Sequence, residues 1–102
     1  TWVVPAAKEN LAHAATLKDP SSGRVLKLYT DQSGVQFYSG NYLDGSLTGS
    51  GGQPYPFRSG LCLEPQFYPD SPNHQGESGW QSCVLRPGET YRHLSVYEFS
   101  TE

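Results

Sequence analysis

The sequence predicts an all-β chain that forms part of a large antiparallel β-sandwich. Helical periodicity is nearly absent from its 102 residues. Short segments in which apolar and polar residues alternate recur between turns rich in Gly, Pro, Ser and Asn, a pattern typical of antiparallel strands. Apolar residues also remain outside the faces that these strands could bury together, namely Val3, Val4, Tyr29, Phe37 and Phe67. We therefore expect further strands of the same domain to cover them.

The first predicted elements form a hairpin. Leu11–Lys18 and Arg24–Thr30 alternate as strands do, although the alanines of Pro5–Ala15 also favour a helical turn. Between the strands, Pro20 presets the second turn position and Gly23 supplies a positive φ. The spacing therefore predicts two antiparallel strands joined by a tight turn.

Three further strands are predicted at Val35–Ser39, Leu61–Glu64 and Glu89–Ser100. Two long connections, Gly40–Ser59 and Pro65–Ser82, lie on either side of the Leu61 strand. Loops of this length are usually functional or disordered. We therefore expect a site where this strand meets its loops.

Composition and charge disfavour several kinds of partner and site. The formal net charge is −3 and the seven Lys and Arg residues are scattered, so neither a nucleic acid nor an anionic membrane surface is expected. No apolar run is long enough to predict a transmembrane helix. Cys62 and Cys83 are too few for a disulfide framework, and free thiols are favoured over one bridge. The Cys and His residues lack the spacing of a zinc site.

The chain begins with Thr1 and contains no Met. We expect it to be a processed chain or a piece of a longer protein. No signal peptide is apparent within these residues, and an upstream one stays possible.

The alternation in the Leu61 strand places Cys62 and Glu64 on one face and Leu63 on the other. Glu64 is therefore either a carboxylate in a cleft or an exposed strand end. Gln36 alternates with Phe37, and from the residues alone a solvent-facing position is the favoured interpretation.

Three segments then carry a specific resemblance. They are GVQFYSGNYLDG at 34–45, SGLCLEPQFYPD at 59–70 with Asn73 after it, and VLRPGETYRH at 84–93. Together they resemble the C-terminal portion of an aldose 1-epimerase, also called galactose mutarotase, and the Asp19–Arg24 turn fits the same family. The resemblance extends over residues 11–100. It implies that residues 1–102 are the C-terminal segment of a single, much longer sandwich domain whose upstream part is absent here.

The resemblance also implies an activity. Members of this family interconvert the α and β anomers of free hexoses such as glucose and galactose in an open cleft, without a metal or redox cofactor. A glutamate removes a proton from the anomeric hydroxyl and a histidine protonates the ring oxygen. Glu64 matches the glutamate, and Gln36 matches a glutamine that contacts sugar hydroxyls. The family's histidine that acts as general acid matches no residue of this chain, because that part of the motif lies upstream of Thr1.

Two positions depart from the family pattern. Pro65 follows Glu64 where the family usually has Thr, and it restricts Glu64 to extended backbone, which a strand requires anyway. Arg58 stands before Ser59-Gly60 where His is usual, and it brings a positive charge near the strand.

The remaining polar candidates favour structural roles. Turn chemistry or loop capping is the preferred interpretation for Asn41, Asp44, Asp70, Asn73 and the turn Arg86–Glu89. His13, His74 and His93 could each be proposed as the acid, but none matches the family's histidine.

The hypothesis is thus an aldose 1-epimerase whose partners are a small hexose and the rest of its own domain. We expect no cofactor and a cytoplasmic location, with secreted forms possible. The isolated 102 residues should be inactive. A non-catalytic carbohydrate-binding β-sandwich is the main alternative. A hexose-phosphate epimerase is a further one, but it would need a basic phosphate pocket.

Overall fold

The computed structural model describes residues 1–5 and 11–102, and its regular structure is almost entirely antiparallel β-sheet. A 3₁₀ helix spans Ser71–His74. The strands are β1 (Trp2–Val3), β2 (Ala12–Asp19), β3 (Arg24–Thr30), β4 (Gly34–Tyr38), β5 (Cys62–Gln66) and β6 (Ser95–Thr101). The prediction of an all-β chain is therefore confirmed. Within the described ranges, no helix is long and apolar enough to cross a membrane.

The strands form two sheets that share a small core. Sheet A has the strand order β1-β4-β5, and sheet B has the order β2-β3-β6. Val35 of sheet A and Leu28 of sheet B are fully buried, and Val4 is buried with them. Leu26 and Leu63 are half-buried against this cluster. Because the two sheets meet through apolar faces, the arrangement agrees with part of a β-sandwich.

The expectation that further strands are needed to cover Val4 is wrong. Its side chain is only 5 % exposed and belongs to the core. The Val4 N–H donates a hydrogen bond to the Ser33 carbonyl at 2.9 Å, which continues the pairing of β1 with β4. The short strand β1 was not predicted, because two residues are too few to show an alternation.

The hairpin between β2 and β3 has the predicted turn. The Gly23 N–H donates to the Asp19 carbonyl at 2.8 Å, and Gly23 has a φ of 71°. A side chain at Gly23 would also collide with the backbone of Glu102. The Asp19 carboxylate accepts hydrogen bonds from the Ser22 and Ser21 hydroxyls and the Ser21 N–H, which lower its pKa to about 2. The positive φ predicted for Gly23 is therefore confirmed, and the Asp19 carboxylate adds contacts that stabilise the turn.

The helical turn proposed over Pro5–Ala15 falls partly on residues 6–10, which lie outside the described residues. From Ala12 onward the prediction of a helix is wrong, because Ala12–Asp19 is strand β2. A register shift between His13 and Ala15 places a β-bulge at Ala14, so Ala14 and Ala15 both pack against the core. Pairing with β3 and burial override the helical preference of alanine here.

The last strand is shorter than predicted. It begins at Ser95, so Glu89–Leu94 is not part of a strand. Its partner β3 ends at Thr30, which pairs with Ser95, and no strand of the described chain continues the ladder. Instead, the Asp31 carboxylate accepts from the Leu94 N–H at 3.0 Å. The sequence alternates over Glu89–Leu94 although the sheet does not extend there, because Tyr91 and His93 make contacts outside the sheet.

Candidate functional site

The two residues singled out from the sequence lie opposite each other in sheet A. Gln36 of β4 is the cross-strand partner of Glu64 of β5. Directly opposed residues in an antiparallel pair share a face, with their Cβ atoms about 4.5–5.5 Å apart. The fold therefore brings together two side chains that are 28 positions apart in the sequence (64 minus 36).

This pair occupies the face of sheet A that points away from the core. Val35, the neighbour of Gln36, is fully buried, and Leu63, the neighbour of Glu64, is half-buried against the core. Glu64 itself is exposed and Gln36 is half-buried. The sequence pattern correctly placed Glu64 and Leu63 on opposite faces. We call the side of sheet A that carries Gln36 and Glu64 the open face.

The Gln36 amide is held by neighbours at both ends. The hydroxyl of Thr1 donates a hydrogen bond to Gln36 Oε1. Gln36 Nε2 donates to the Phe37 carbonyl at 3.3 Å, a long contact between adjacent residues. Gln36 therefore presents an oriented amide beside the Glu64 carboxylate.

The two departures from the family pattern are accommodated locally. Pro65 lies within β5, which extends two residues beyond its predicted end. Because β5 is an edge strand, the missing N–H of proline is tolerated there. Arg58 donates from Nε to Asn41 Oδ1 at 2.9 Å, and its Cζ lies 4.9 Å from the centre of the Phe57 ring. The guanidinium is thus engaged within its own loop.

The other polar candidates stabilise turns, as the sequence indicated. Asp44 accepts from the Ser46 N–H at 2.9 Å, and hydrogen bonding by Ser46 lowers the pKa of the carboxyl group. Asn73 donates from its N–H to the Asp70 carbonyl at 3.0 Å. The Glu89 N–H likewise closes the turn that begins at Arg86, at 3.0 Å. These groups are engaged in local structure.

The sequence did not predict a compact cluster in the loop after β5. The imidazole of His74 stacks on Trp80, with ring centroids 4.0 Å apart. Its Nδ1 lies 3.0 Å from Glu77 Oε2 and its Nε2 lies 3.2 Å from Asp70 Oδ2. The hydrogen bond to Glu77 is the main reason that the pKa of His74 is raised, with Asp70 adding to it. Two carboxylates and a Trp within six positions of one His were the available signal.

All three histidines bond to groups outside β4 and β5. His13 Nε2 lies 2.8 Å from the Thr16 hydroxyl oxygen on β2. His93 Nδ1 lies 2.6 Å from Asp31 Oδ1, and His74 belongs to the loop cluster. The structure therefore does not place any of them beside Glu64 as a proton donor.

A cavity of about 360 Å³ in the described part of the chain lies apart from the predicted pair. It is lined by Val4, Thr30, Asp31, Gln32, Ser33, Tyr68, Gly79, Trp80 and Gln81. Over residues 1–5 and 11–102, no group of three or more His, Cys, Asp or Glu side chains could hold a metal ion. Cys62 and Cys83 are both free thiols.

The open face therefore offers a limited chemistry. A carboxylate can accept a proton from a hydroxyl, and an amide beside it can hold a second hydroxyl in place. Both functions suit a polyhydroxylated ligand. A group that protonates the other side of such a ligand would have to approach from outside these strands.

Comparison with known proteins identifies related sequences. A sequence model of the family described as aldose 1-epimerase matches residues 4–98. The chain is 50 % identical to galactose mutarotase of Mus musculus and 49 % identical to that of Homo sapiens, in each case over 86 residues. It is 49 % identical to aldose 1-epimerase of Escherichia coli strain K12 over 77 residues.

These alignments cover most of the chain but little of each relative. The alignments with the two mammalian proteins include 84 % of this chain and 24 % of each relative. The alignment with the bacterial protein includes 76 % of this chain and 22 % of that relative. The chain thus spans about a quarter of the length of the curated relatives it matches.

Proposed function

The chain belongs to the aldose 1-epimerase family, and on that premise we propose that it supplies one wall of an active site that interconverts the α and β anomers of free hexoses. The observation that carries the proposal is the cross-strand pairing of Gln36 with Glu64 on the open face. Both residues match functional positions of the family. Their opposition allows one sugar to contact both at once.

In the proposed reaction, Glu64 acts as the general base. Its carboxylate takes the proton of the anomeric hydroxyl while the bond between the anomeric carbon and the ring oxygen breaks. An acid gives its proton to that ring oxygen, and the sugar becomes an open-chain aldehyde. Rotation about one bond exchanges the faces of the carbonyl. Ring closure with reversed proton transfers then gives the other anomer, so no proton or electron is consumed.

Gln36 has a binding role in this proposal. Its amide can hydrogen bond to a sugar hydroxyl while Glu64 works on the anomeric position. The acid comes from a residue outside this chain, since each histidine of the chain has partners elsewhere in the fold.

We further propose that residues 1–102 form the C-terminal segment of one larger domain, whose remaining strands complete the cleft. The coverage of a quarter of each relative supports this arrangement. So do large apolar side chains left uncovered on both sheets, such as Val3, which is 72 % exposed, and Phe99, which is 74 % exposed. The rest of the domain would be the main partner of these surfaces. A cytoplasmic location stays a prediction.

The test is a mutarotation assay on the whole protein. Freshly dissolved α-D-glucose and α-D-galactose are followed by polarimetry with and without enzyme. The proposal expects equilibration well above the spontaneous rate for at least one of the two sugars. Sugar binding by calorimetry without any acceleration would instead favour the non-catalytic binding module. Acceleration only with a hexose phosphate would favour the phosphate-specific alternative.

A further inference from the structure

We propose that Thr1 is a positioning residue that fixes the Gln36 amide for sugar binding, and that Gly34 is required because its notch holds Thr1. This inference rests on the proposed function. It assigns a role to a residue that does not itself touch the sugar.

Thr1 is aligned with the candidate site. In β1 and β4, Trp2 pairs with Val35 and Val3 pairs with Gly34, so the next position of this register brings Thr1 opposite Gln36. The hydrogen bond from the Thr1 hydroxyl to Gln36 Oε1 agrees with that register. Thr1, Gln36 and Glu64 thus form one row across the three strands of sheet A.

The orientation of the Gln36 amide follows from this contact. A glutamine carboxamide has an acceptor oxygen and a donor nitrogen, and rotation by half a turn exchanges them. Because Oε1 accepts from the Thr1 hydroxyl, the nitrogen side is left to donate. Its contact with the Phe37 carbonyl is long, at 3.3 Å. We infer that Nε2 is the atom that Gln36 offers to a sugar oxygen.

The side chain of Thr1 is itself held in place beside Gly34. A Cβ atom built on Gly34 would lie 2.9 Å from Thr1 Cγ2, 3.2 Å from Tyr68 Cδ1 and 3.3 Å from the Trp2 carbonyl oxygen. Gly34 lies in a strand and lacks the positive φ found at several other glycines, so space and not backbone conformation demands glycine here. The methyl group of Thr1 fills this notch while its hydroxyl reaches Gln36. Both branches of the side chain are therefore used.

The experiment compares two substitutions that each remove one branch. In the whole protein, Thr1→Val keeps the shape but loses the hydroxyl, and Thr1→Ser keeps the hydroxyl but loses the methyl. A neutral hydrogen bond of ordinary strength predicts about a threefold to tenfold fall in kcat/KM for Thr1→Val, mainly as a higher KM. Thr1→Ser should keep most of the wild-type kcat/KM. Thr101→Val, on the exposed end of β6, is the matched control and should change neither constant.

A double-mutant cycle separates positioning from a general structural role. Combined with Gln36→Ala, Thr1→Val should have almost no further effect on kcat/KM, because the amide that it positions is gone. Gly34→Ala should raise KM like Thr1→Val, and its effect should also shrink in the Gln36→Ala background. Effects that simply multiply in the double variants, or a Thr1→Val enzyme with unchanged KM, would overturn the proposal.

A second readout does not depend on activity. The side-chain NH₂ resonances of Gln36, assigned by their loss in Gln36→Ala, should move in Thr1→Val and stay close to the wild-type position in Thr1→Ser. Unmoved resonances in Thr1→Val would refute the positioning role even in an active enzyme. Conversely, a protein without mutarotase activity whose Gln36 signals respond as expected would reject the proposed function while keeping the Thr1 contact.

Discussion

Glu64 of the edge strand β5 lies opposite Gln36 of the central strand β4, on the face of sheet A that points away from the core. The pair joins a group that can accept a proton to a group that can hold a hydroxyl. Because the two side chains are cross-strand neighbours, a single substitution at either should affect the same bound sugar in a different way.

Replacing Glu64 by Gln should abolish most of the activity of the whole enzyme without unfolding it. The amide is nearly isosteric with the carboxylate, and the exposed position imposes little packing cost, but the amide cannot take up the proton. A positioned general base typically contributes about a hundredfold to ten-thousandfold in rate. Polarimetry with α-D-glucose should therefore show a fall in kcat of about a hundredfold or more.

The matched control is Glu98→Gln. Glu98 is an exposed carboxylate on β6, and its Oε1 lies 3.7 Å from Lys27 Nζ. Strand β6 belongs to sheet B, which is separate from the open face of sheet A. Glu98→Gln should leave kcat unchanged. If Glu64→Gln kept more than about a tenth of the wild-type rate, the role of Glu64 as base would be untenable.

Replacing Gln36 by Ala should weaken sugar binding more gently. A neutral hydrogen bond to a sugar hydroxyl contributes about 0.5–1.5 kcal/mol, which corresponds to roughly a threefold to tenfold fall in kcat/KM. Steady-state kinetics should show this mainly in KM, whereas Gln53→Ala, in an exposed loop, should show no change. An unaltered kcat/KM in Gln36→Ala would mean that this amide does not contact the sugar.

Local patterns predicted the elements better than their assembly. Arg24–Thr30 was predicted with the bounds that the structure shows, because its alternation ends at turn residues on one side and at the polar segment 31–33 on the other. The pairing of Gln36 with Glu64 could not be predicted from the residues, since strand register depends on contacts across a long connection. The resemblance to the family singled out both residues, but it did not give their geometry.

The error at Glu89–Leu94 has a related cause. Tyr91 and His93 alternate as strand residues do, yet they lie beyond the end of β3 and no strand among the described residues pairs with them. The Tyr91 hydroxyl accepts from Gln32 Nε2 at 2.7 Å, and His93 contacts Asp31. A pattern of alternating residues can therefore arise from side chains that make contacts outside a sheet, as well as from a strand.

The loop cluster around His74 should respond to pH. Its partners Glu77 and Asp70 raise the pKa of the imidazole above its ordinary value of 6.5, and the ring also stacks on Trp80. A histidine whose folded pKa is raised stabilises the fold fully below the unfolded pKa, and this contribution is lost as pH rises through the folded value. Amide hydrogen exchange in the whole protein should therefore show stronger protection of residues 70–80 near pH 5.5 than near pH 8.5, after correction for intrinsic exchange rates.

His74→Phe is the informative variant for that prediction. It keeps a flat ring for Trp80 but cannot carry a charge, so the pH dependence of protection in this loop should disappear. His13→Phe changes a histidine on β2 that contacts Tyr29 and Thr16, and it should leave the dependence intact. Equal pH dependence in wild type and His74→Phe would show that another group controls the loop.

The last prediction concerns the 102 residues expressed alone, which should be catalytically inactive and self-associating. They contain the proposed base but no histidine placed beside it, and the described sheets leave edge strands and apolar residues such as Val3 and Phe99 uncovered. Size-exclusion chromatography with light scattering should show oligomers or aggregates, and polarimetry should show only the spontaneous rate, with the whole protein as the positive control. A soluble monomer with enzyme-like turnover would contradict both parts. The acid would then have to be sought among His13, His74 and His93, and the assignment rebuilt around one of them.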